Sequence, residues 1–246
     1  MKIHVSVVFR VMDCYKKQPV NGQALHFYIN GNQARPIYKE GGYFVFTNLK
    51  EGQYKFLISS YLYQSQEIEC FIEEHIDYKM IYIFLMPSQT SVLSNEDTIV
   101  PIKCLDNEEK LIGQKIYIAY EEKEYFKIAQ EYVDAGEEKV KLFFSQGMGK
   151  KAIIGKYLIK DRDTDKNEIC TVLGQEGEKD VYRLENKLRY GHARSTSLIE
   201  VMENEIDSNG RSYMIIKGNK EKKNDNIHVF IEAKEGLKEI NIQMLE

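Results

Sequence analysis

The first residues of the chain alternate strictly. Ile3, Val5, Val7, Phe9 and Val11 fall on one face of an extended segment, and His4, Ser6 and Arg10 fall on the other. A two-residue period puts successive side chains on opposite faces of a strand, so this pattern specifies a β-strand with one face in a core. The pattern recurs at short intervals. Leu25, Phe27 and Ile29 alternate with His26 and Tyr28 and end at Asn30-Gly31; Gly41-Gly42 precedes Tyr43-Phe44-Val45-Phe46; Glu51-Gly52 precedes Tyr54-Lys55-Phe56-Leu57-Ile58. Further runs cover 68–72 and 80–86. About seven short strands with turn residues between them is the rhythm of a β-sandwich.

A family resemblance is carried by three segments. The first strand leads to Asp13 and a polar turn, Pro19-Val20-Asn21-Gly22-Gln23-Ala24-Leu25 follows, and then comes Gly42-Tyr43-Phe44-Val45-Phe46-Thr47-Asn48-Leu49-Lys50-Glu51-Gly52-Gln53-Tyr54. Residues 3–86 resemble the transthyretin-like domains, which include carboxypeptidase regulatory-like and Cna-B-like modules. The resemblance implies that the glycine starts a strand, that the aromatic pair enters the core, and that the Asn-Leu-x-x-Gly-x-Tyr segment turns tightly into the next strand. Gly52 would take a positive φ there and Leu49 would plug the open end of the sandwich. It also implies a scaffold or recognition module. The ureide-hydrolysing members end in Tyr-Arg-Gly-Ser, whereas this sequence ends Gln243-Met244-Leu245-Glu246, so that activity is not expected. Cna-B-like members often hold a Lys–Asn crosslink; Lys2 or Lys55 with Asn48 are the residues available, without a motif to support it.

The polar, aperiodic stretch after Pro87 marks a boundary: domain 1–87, linker 88–97, second domain 98–246. In the second domain 98–105, 115–120, 125–133, 139–144, 153–159, 212–216, 227–233 and 240–244 read as strands. Val181, Leu184 and Leu188 recur at helical spacing over 178–190, with Gly191 placed as a C-terminal cap, which predicts one short helix. The expected fold class is all-β: a seven-stranded Ig/transthyretin-like sandwich, then a second, mostly β domain.

Charge excludes some partners. Lys and Arg number 34 against 38 acidic residues, for a net charge of −4, so no general field draws the chain to nucleic acid. The longest apolar run, 80–86, is strand-length, and no membrane span is expected. The start lacks the pattern of a secretion signal, which predicts a cytoplasmic protein as synthesised. Cys14, Cys70, Cys104 and Cys170 form no C-x-x-C pair and read as free thiols.

No stretch carries a complete catalytic or metal motif. Residues 161–168, Asp-Arg-Asp-Thr-Asp-Lys-Asn-Glu, have carboxylates at the spacing of a calcium loop, but Lys166 and Val172 stand where such a loop needs Gly and Glu, so the segment reads as a charged hairpin turn. Gly147-Met148-Gly149-Lys150-Lys151 lacks the rest of a phosphate loop and reads as a glycine turn. His75 among Glu73, Glu74 and Asp77 reads as an acidic loop, and the five histidines show no H-x-x-x-H spacing. Catalytic residues, metal and cofactor are all expected to be none. The chain's most unusual segment gathers three of its seven arginines, Arg183, Arg189 and Arg194, with Tyr182, Tyr190 and His192 between them. Arg and Tyr dominate the energetic centres of protein interfaces. These six residues are the candidate partner-binding set. The expected function is a non-enzymatic structural or interaction subunit that binds other protein subunits in a larger assembly, as in a phage-tail-like or contractile-injection particle. The alternatives are a carbohydrate-binding module using Tyr61, Tyr63 or Tyr78, and an enzyme with a site in 98–246.

Overall fold

In the computed structural model the described residues are 4–73, 78–88, 91, 97–106, 108–121, 126–144, 154–216, 226–234 and 236–245. Lys2, the turn at 147–151, most of the charged segment 218–226, the acidic cluster around His75 and most of the stretch 88–97 lie outside them. The chain is all-β and divides into two compact units, Met1–Leu93 and Ser94–Glu246.

The first unit is built on the strand Val5–Asp13, whose alternation sends Val7, Phe9 and Val11 inward with no exposed surface. It pairs antiparallel with Tyr43–Thr47, placing Phe9 opposite Phe44. On its other side it pairs parallel with Lys79–Leu85, placing Phe9 opposite Ile81. That parallel pair departs from a purely antiparallel sandwich, because strand alternation is the same in either direction and does not reveal polarity. The short strands Gln18–Pro19 and Ile37–Lys39 complete this sheet. A second sheet runs Asn32–Ala34, His26–Ile29, Gly52–Ser59, Gln66–Ile72. The two inner faces form one core in which the rings of Phe9 and Phe56 lie 4.9 Å apart and those of Phe27 and Phe44 lie 4.8 Å apart, the tilted contacts that aromatic quadrupoles favour. Nine strands are present among the described residues of this unit. Three of them are only two or three residues long, too short for alternation to announce them in the sequence. The Asn48 turn has the expected form: Asn48 is left-handed (φ 57), Gly52 has φ 149, and Leu49 packs on the core with its amide donating to Ser6 Oγ at 3.0 Å. Lys55 ion-pairs with Glu67 at 2.7 Å on the surface, while Asn48 Oδ1 accepts from the His4 amide. Those two residues are therefore occupied elsewhere and not with each other.

The second unit contains a closed barrel. Its ring runs Phe126–Ile128, Lys139–Phe144, Val181–Leu184, Glu168–Gln175, Gly155–Lys160, Ser197–Glu205, and the last strand pairs back onto the first through Phe126 and Leu198. Every pairing in the ring is antiparallel. Six strands enclose an interior narrow enough to be filled by side chains, here Ile128, Leu142, Tyr157, Val172, Tyr182 and Leu184 among others. The far half of Ser197–Glu205 pairs instead with Lys115–Tyr120, which continues into Ile227–Ala233 and Gly236–Ile240. Against these packs a three-stranded sheet of Thr98–Cys104, Arg211–Ile216 and Ile242–Met244. A third cluster, including Tyr117, Leu158, Ile199 and Phe230, lies on the opposite face of the long sheet. The run Tyr157-Leu158-Ile159 is wholly buried because its strand has a core on both sides.

The helix expected over 178–190 is a strand and turns. Tyr182 and Leu184 point inward at strand spacing, while Arg183 between them is exposed. Asp180, with φ 62, breaks any helical path before it begins. The described residues hold only one α-helical turn, Glu108–Leu111.

Candidate functional site

Residues 161–168 form the expected hairpin turn, joining Gly155–Lys160 to Glu168–Gln175. Asp163 caps a short 3-10 turn, Thr164–Lys166, accepting from the Asp165 amide, and Asn167 Oδ1 accepts from the Asp161 amide at 2.9 Å. Asp161 Oδ1 accepts from the Asp163 amide at 3.1 Å, while Asp161 Oδ2 and the Glu168 carboxylate point at a third group, which comes from far along the chain. His192, with no exposed surface, lies between them, its Nδ1 2.8 Å from Asp161 Oδ2 and its Nε2 2.8 Å from Glu168 Oε1.

The three side chains act on the segment 189–194. Glu168 also accepts the amides of Arg189 (2.9 Å) and Tyr190 (3.2 Å). His192 sits opposite Val133 in a short ladder with Tyr132–Val133, and the amides of Arg194 and Ser195 donate to the carbonyls of Glu131 and Ile128. The backbone of the segment is thus tied down at almost every residue. Ionised carboxylates only accept, so an imidazole bonded to two of them must donate from both nitrogens and carry charge. Burial disfavours that charge, yet the hydrogen bonds to Glu168 and Asp161 outweigh it and the His192 pKa rises above 6.5. For Asp161, burial is likewise outweighed by the bonds to His192 and the Asp163 amide, and its carboxyl stays below 3.8. With both nitrogens bonded and no accessible surface, this histidine has no lone pair for a metal or a substrate proton. The cluster is a clamp.

The six candidate contact residues therefore separate. Tyr182 fills the barrel and His192 is the buried centre of the clamp, so neither can meet a partner in this fold; strand alternation turns the first inward, and the carboxylates hold the second. Arg183 is exposed 3.8 Å from Glu176, Arg194 is exposed with Glu131 at 2.9 Å, Arg189 is exposed and Tyr190 is half-buried. Asp161 and Glu168 are the partners of His192 that the sequence did not reveal. Tyr132, 56% exposed, lies over Gly191.

Two other charged clusters are also closed on themselves. His228 Nδ1 is 2.7 Å from Glu239, and its Nε2 is 3.2 Å from Glu121 but too poorly aligned for a hydrogen bond; Glu121 in turn holds Lys160 at 2.7 Å. Glu203 lies between Lys115 and Lys156, the latter also over the Tyr117 ring. In the first unit Tyr63 donates to the buried Asp13 at 2.9 Å, which removes it as a stacking platform, whereas Tyr61 and Tyr78 are exposed. A shallow cleft of about 230 Å³ beside His26 and Arg35 is smaller than the usual small-molecule pocket. Among the described residues no group of three or more His, Cys, Asp or Glu side chains is arranged to hold a metal, and no helix is long and apolar enough to cross a membrane. No protein-family model matches the sequence, and no curated protein is significantly similar to it.

Proposed function

We propose that the protein is a non-enzymatic interaction subunit of a larger protein assembly, of the kind found in phage-tail-like or contractile-injection particles, and that it grips a partner protein through the rim of the barrel at 189–194. The observation that carries this reading is the clamp: Asp161, Glu168 and His192 fix the backbone that displays Arg189, Tyr190 and Arg194. A surface whose backbone is already ordered loses less entropy on binding, and Arg and Tyr are the side chains from which hot spots are built. Spending a buried histidine, a buried glutamate and a largely covered aspartate to hold a loop makes physical sense when the loop presents something. The two-sheet first unit, with its Asn48 turn, is in keeping with a transthyretin-like scaffold module.

The test is affinity capture with chemical crosslinking from the source cells, comparing the natural protein with an Arg189→Glu/Arg194→Glu double variant of unchanged circular dichroism. Hot-spot loss of about 2 kcal/mol or more should reduce retention of a crosslinked partner roughly thirtyfold, with crosslinks mapping to the barrel rim. Equal capture by both proteins would refute the reading.

A further inference from the structure

The outer face of the first unit's larger sheet carries an unspent cation in apolar surroundings. Arg10 projects from Val5–Asp13 on the side opposite Phe9. Its cross-strand neighbours are Tyr43 and Tyr82, whose ring centroids lie 5.2 and 5.7 Å from the guanidinium carbon. The guanidinium is held between two aromatic faces, the geometry in which Arg differs most from Lys. Its Nε is buried and has no acceptor, and among the described residues no carboxylate is paired with it. Every other ion cluster described above holds charges of both signs in contact; among the described residues Arg10 has no such partner.

Two residues along the strand the same face bears Val8, with Val45, Met80 and, beyond Val45, Ile37 in register across the adjoining strands. Met80 is 39% and Ile37 46% exposed. Sheets with one free face normally turn polar residues outward, and apolar side chains gathered around a fixed charge on a sheet face are the composition of an interface centre with a rim still to be supplied. A phosphate-rich ligand would call for several clustered cations, whereas this face adds to the guanidinium only Lys39, exposed on the edge strand beside Tyr43. A protein strand bearing one carboxylate between apolar side chains matches both the charge and the surroundings.

We infer that this face is a second docking surface, distinct from the barrel rim, and that its occupant is an extended protein segment carrying an Asp or Glu flanked at alternate positions by apolar residues. The carboxylate pairs with the planar fork of Arg10 while Tyr43 and Tyr82 wall it from water. This goes beyond the reading of the barrel rim and is tested separately from it.

The probe is a synthetic heptapeptide with Val, Glu and Val at alternate positions and Thr elsewhere, titrated into the full chain and followed through the Arg10 Nε–H resonance. The Glu peptide is expected to shift that resonance and to bind about tenfold more tightly than its Gln counterpart, with the difference shrinking as salt rises. Arg10→Lys, which keeps the charge and loses the fork, is expected to lose most of that preference, with its thermal midpoint showing that the unit remains folded. Four outcomes overturn the inference: no shift with the Glu peptide, equal shifts with the Gln peptide, an equal shift with inorganic phosphate, or an Arg10-dependent dimer of the chain in sedimentation. None of these bears on capture through Arg189 and Arg194, so the two proposals fail independently.

Discussion

Replacing His192 by leucine is expected to cost the second unit about 3–5 kcal/mol at neutral pH, because it leaves two nearly buried carboxylates facing an apolar side chain with their counter-charge gone. Asp161 and Glu168 are only 14% and 7% exposed at the side chain, so water cannot replace the imidazolium fully. The expected signature is local as well as global. Hydrogen exchange should accelerate most in 189–195, whose amides depend on Glu168 and on the short ladder with Tyr132–Val133, while the first unit keeps its protection. The pH dependence follows from the directions of the two shifts. His192 is raised above 6.5, so its stabilisation is fully present below 6.5 and is lost as pH rises through the raised value. Asp161 is lowered beneath 3.8, so its stabilisation is fully present above 3.8 and is lost as pH falls through the lowered value. The gap between natural and variant protein in urea unfolding should therefore be widest between 3.8 and 6.5 and close on both sides. A gap independent of pH would show that leucine merely packs badly and that the clamp is not ionic.

Replacing Gly42 by alanine is expected to destabilise the first unit by about 3 kcal/mol, the combined effect of a left-handed backbone and overpacking. Gly42 has φ 78, and a Cβ there would stand 2.5 Å from the Val11 carbonyl and 3.0 Å from Pro19. The obstacle is backbone in the central strand, itself bonded to Gly42 through the Val11 amide, so two strands would have to part. Gly191→Ala provides the contrast. Its Cβ would come even closer to an existing atom, 2.1 Å from the Tyr132 hydroxyl, yet that atom ends an exposed side chain free to swing away. The cost there should stay under about 1 kcal/mol. Thermal unfolding of the two variants measures both effects, and an equal loss would mean that distance alone, without regard to what must move, governs these sites.

The strands were legible wherever one face meets a core and the other meets solvent. Val140 and Leu142 between exposed Lys139, Lys141 and Phe143, or Phe44 and Phe46 between half-exposed Tyr43 and Val45, announce themselves by alternation. Segment 178–190 misled because Val181, Leu184 and Leu188 fit a helical face, while the inward side chain that decides the matter, Tyr182, reads as an exposed aromatic until the barrel closes around it. Barrel closure itself is invisible in sequence: Phe126 meets Leu198 by a pairing that no local pattern encodes. The clamp was hidden for the same reason. Asp161 and Glu168 belong to a turn whose carboxylates looked like solvent groups or calcium ligands, and His192 looked like part of a basic surface. The chain separations of 31 and 24 residues leave nothing in the sequence to connect them.

Ser197–Glu205 belongs to the barrel in its first half and to the packed sheets in its second, and this has a consequence for synthesis. Thr98–Cys104 has its two partners in Arg211–Ile216 and Ile242–Met244, so it leaves the ribosome long before either exists, with the whole barrel still to be made. At about 5–20 residues per second, that wait is on the order of ten seconds. During it the barrel is the part that can close first, since all but its last strand lie within 126–184 and Ser197 follows directly. Once Ser197–Glu205 has sealed the barrel, its free half becomes the template on which Lys115–Tyr120 aligns. The nascent chain thus carries its own internal jig, and a stop anywhere before 205 would leave an apolar, unpaired strand for chaperones to hold.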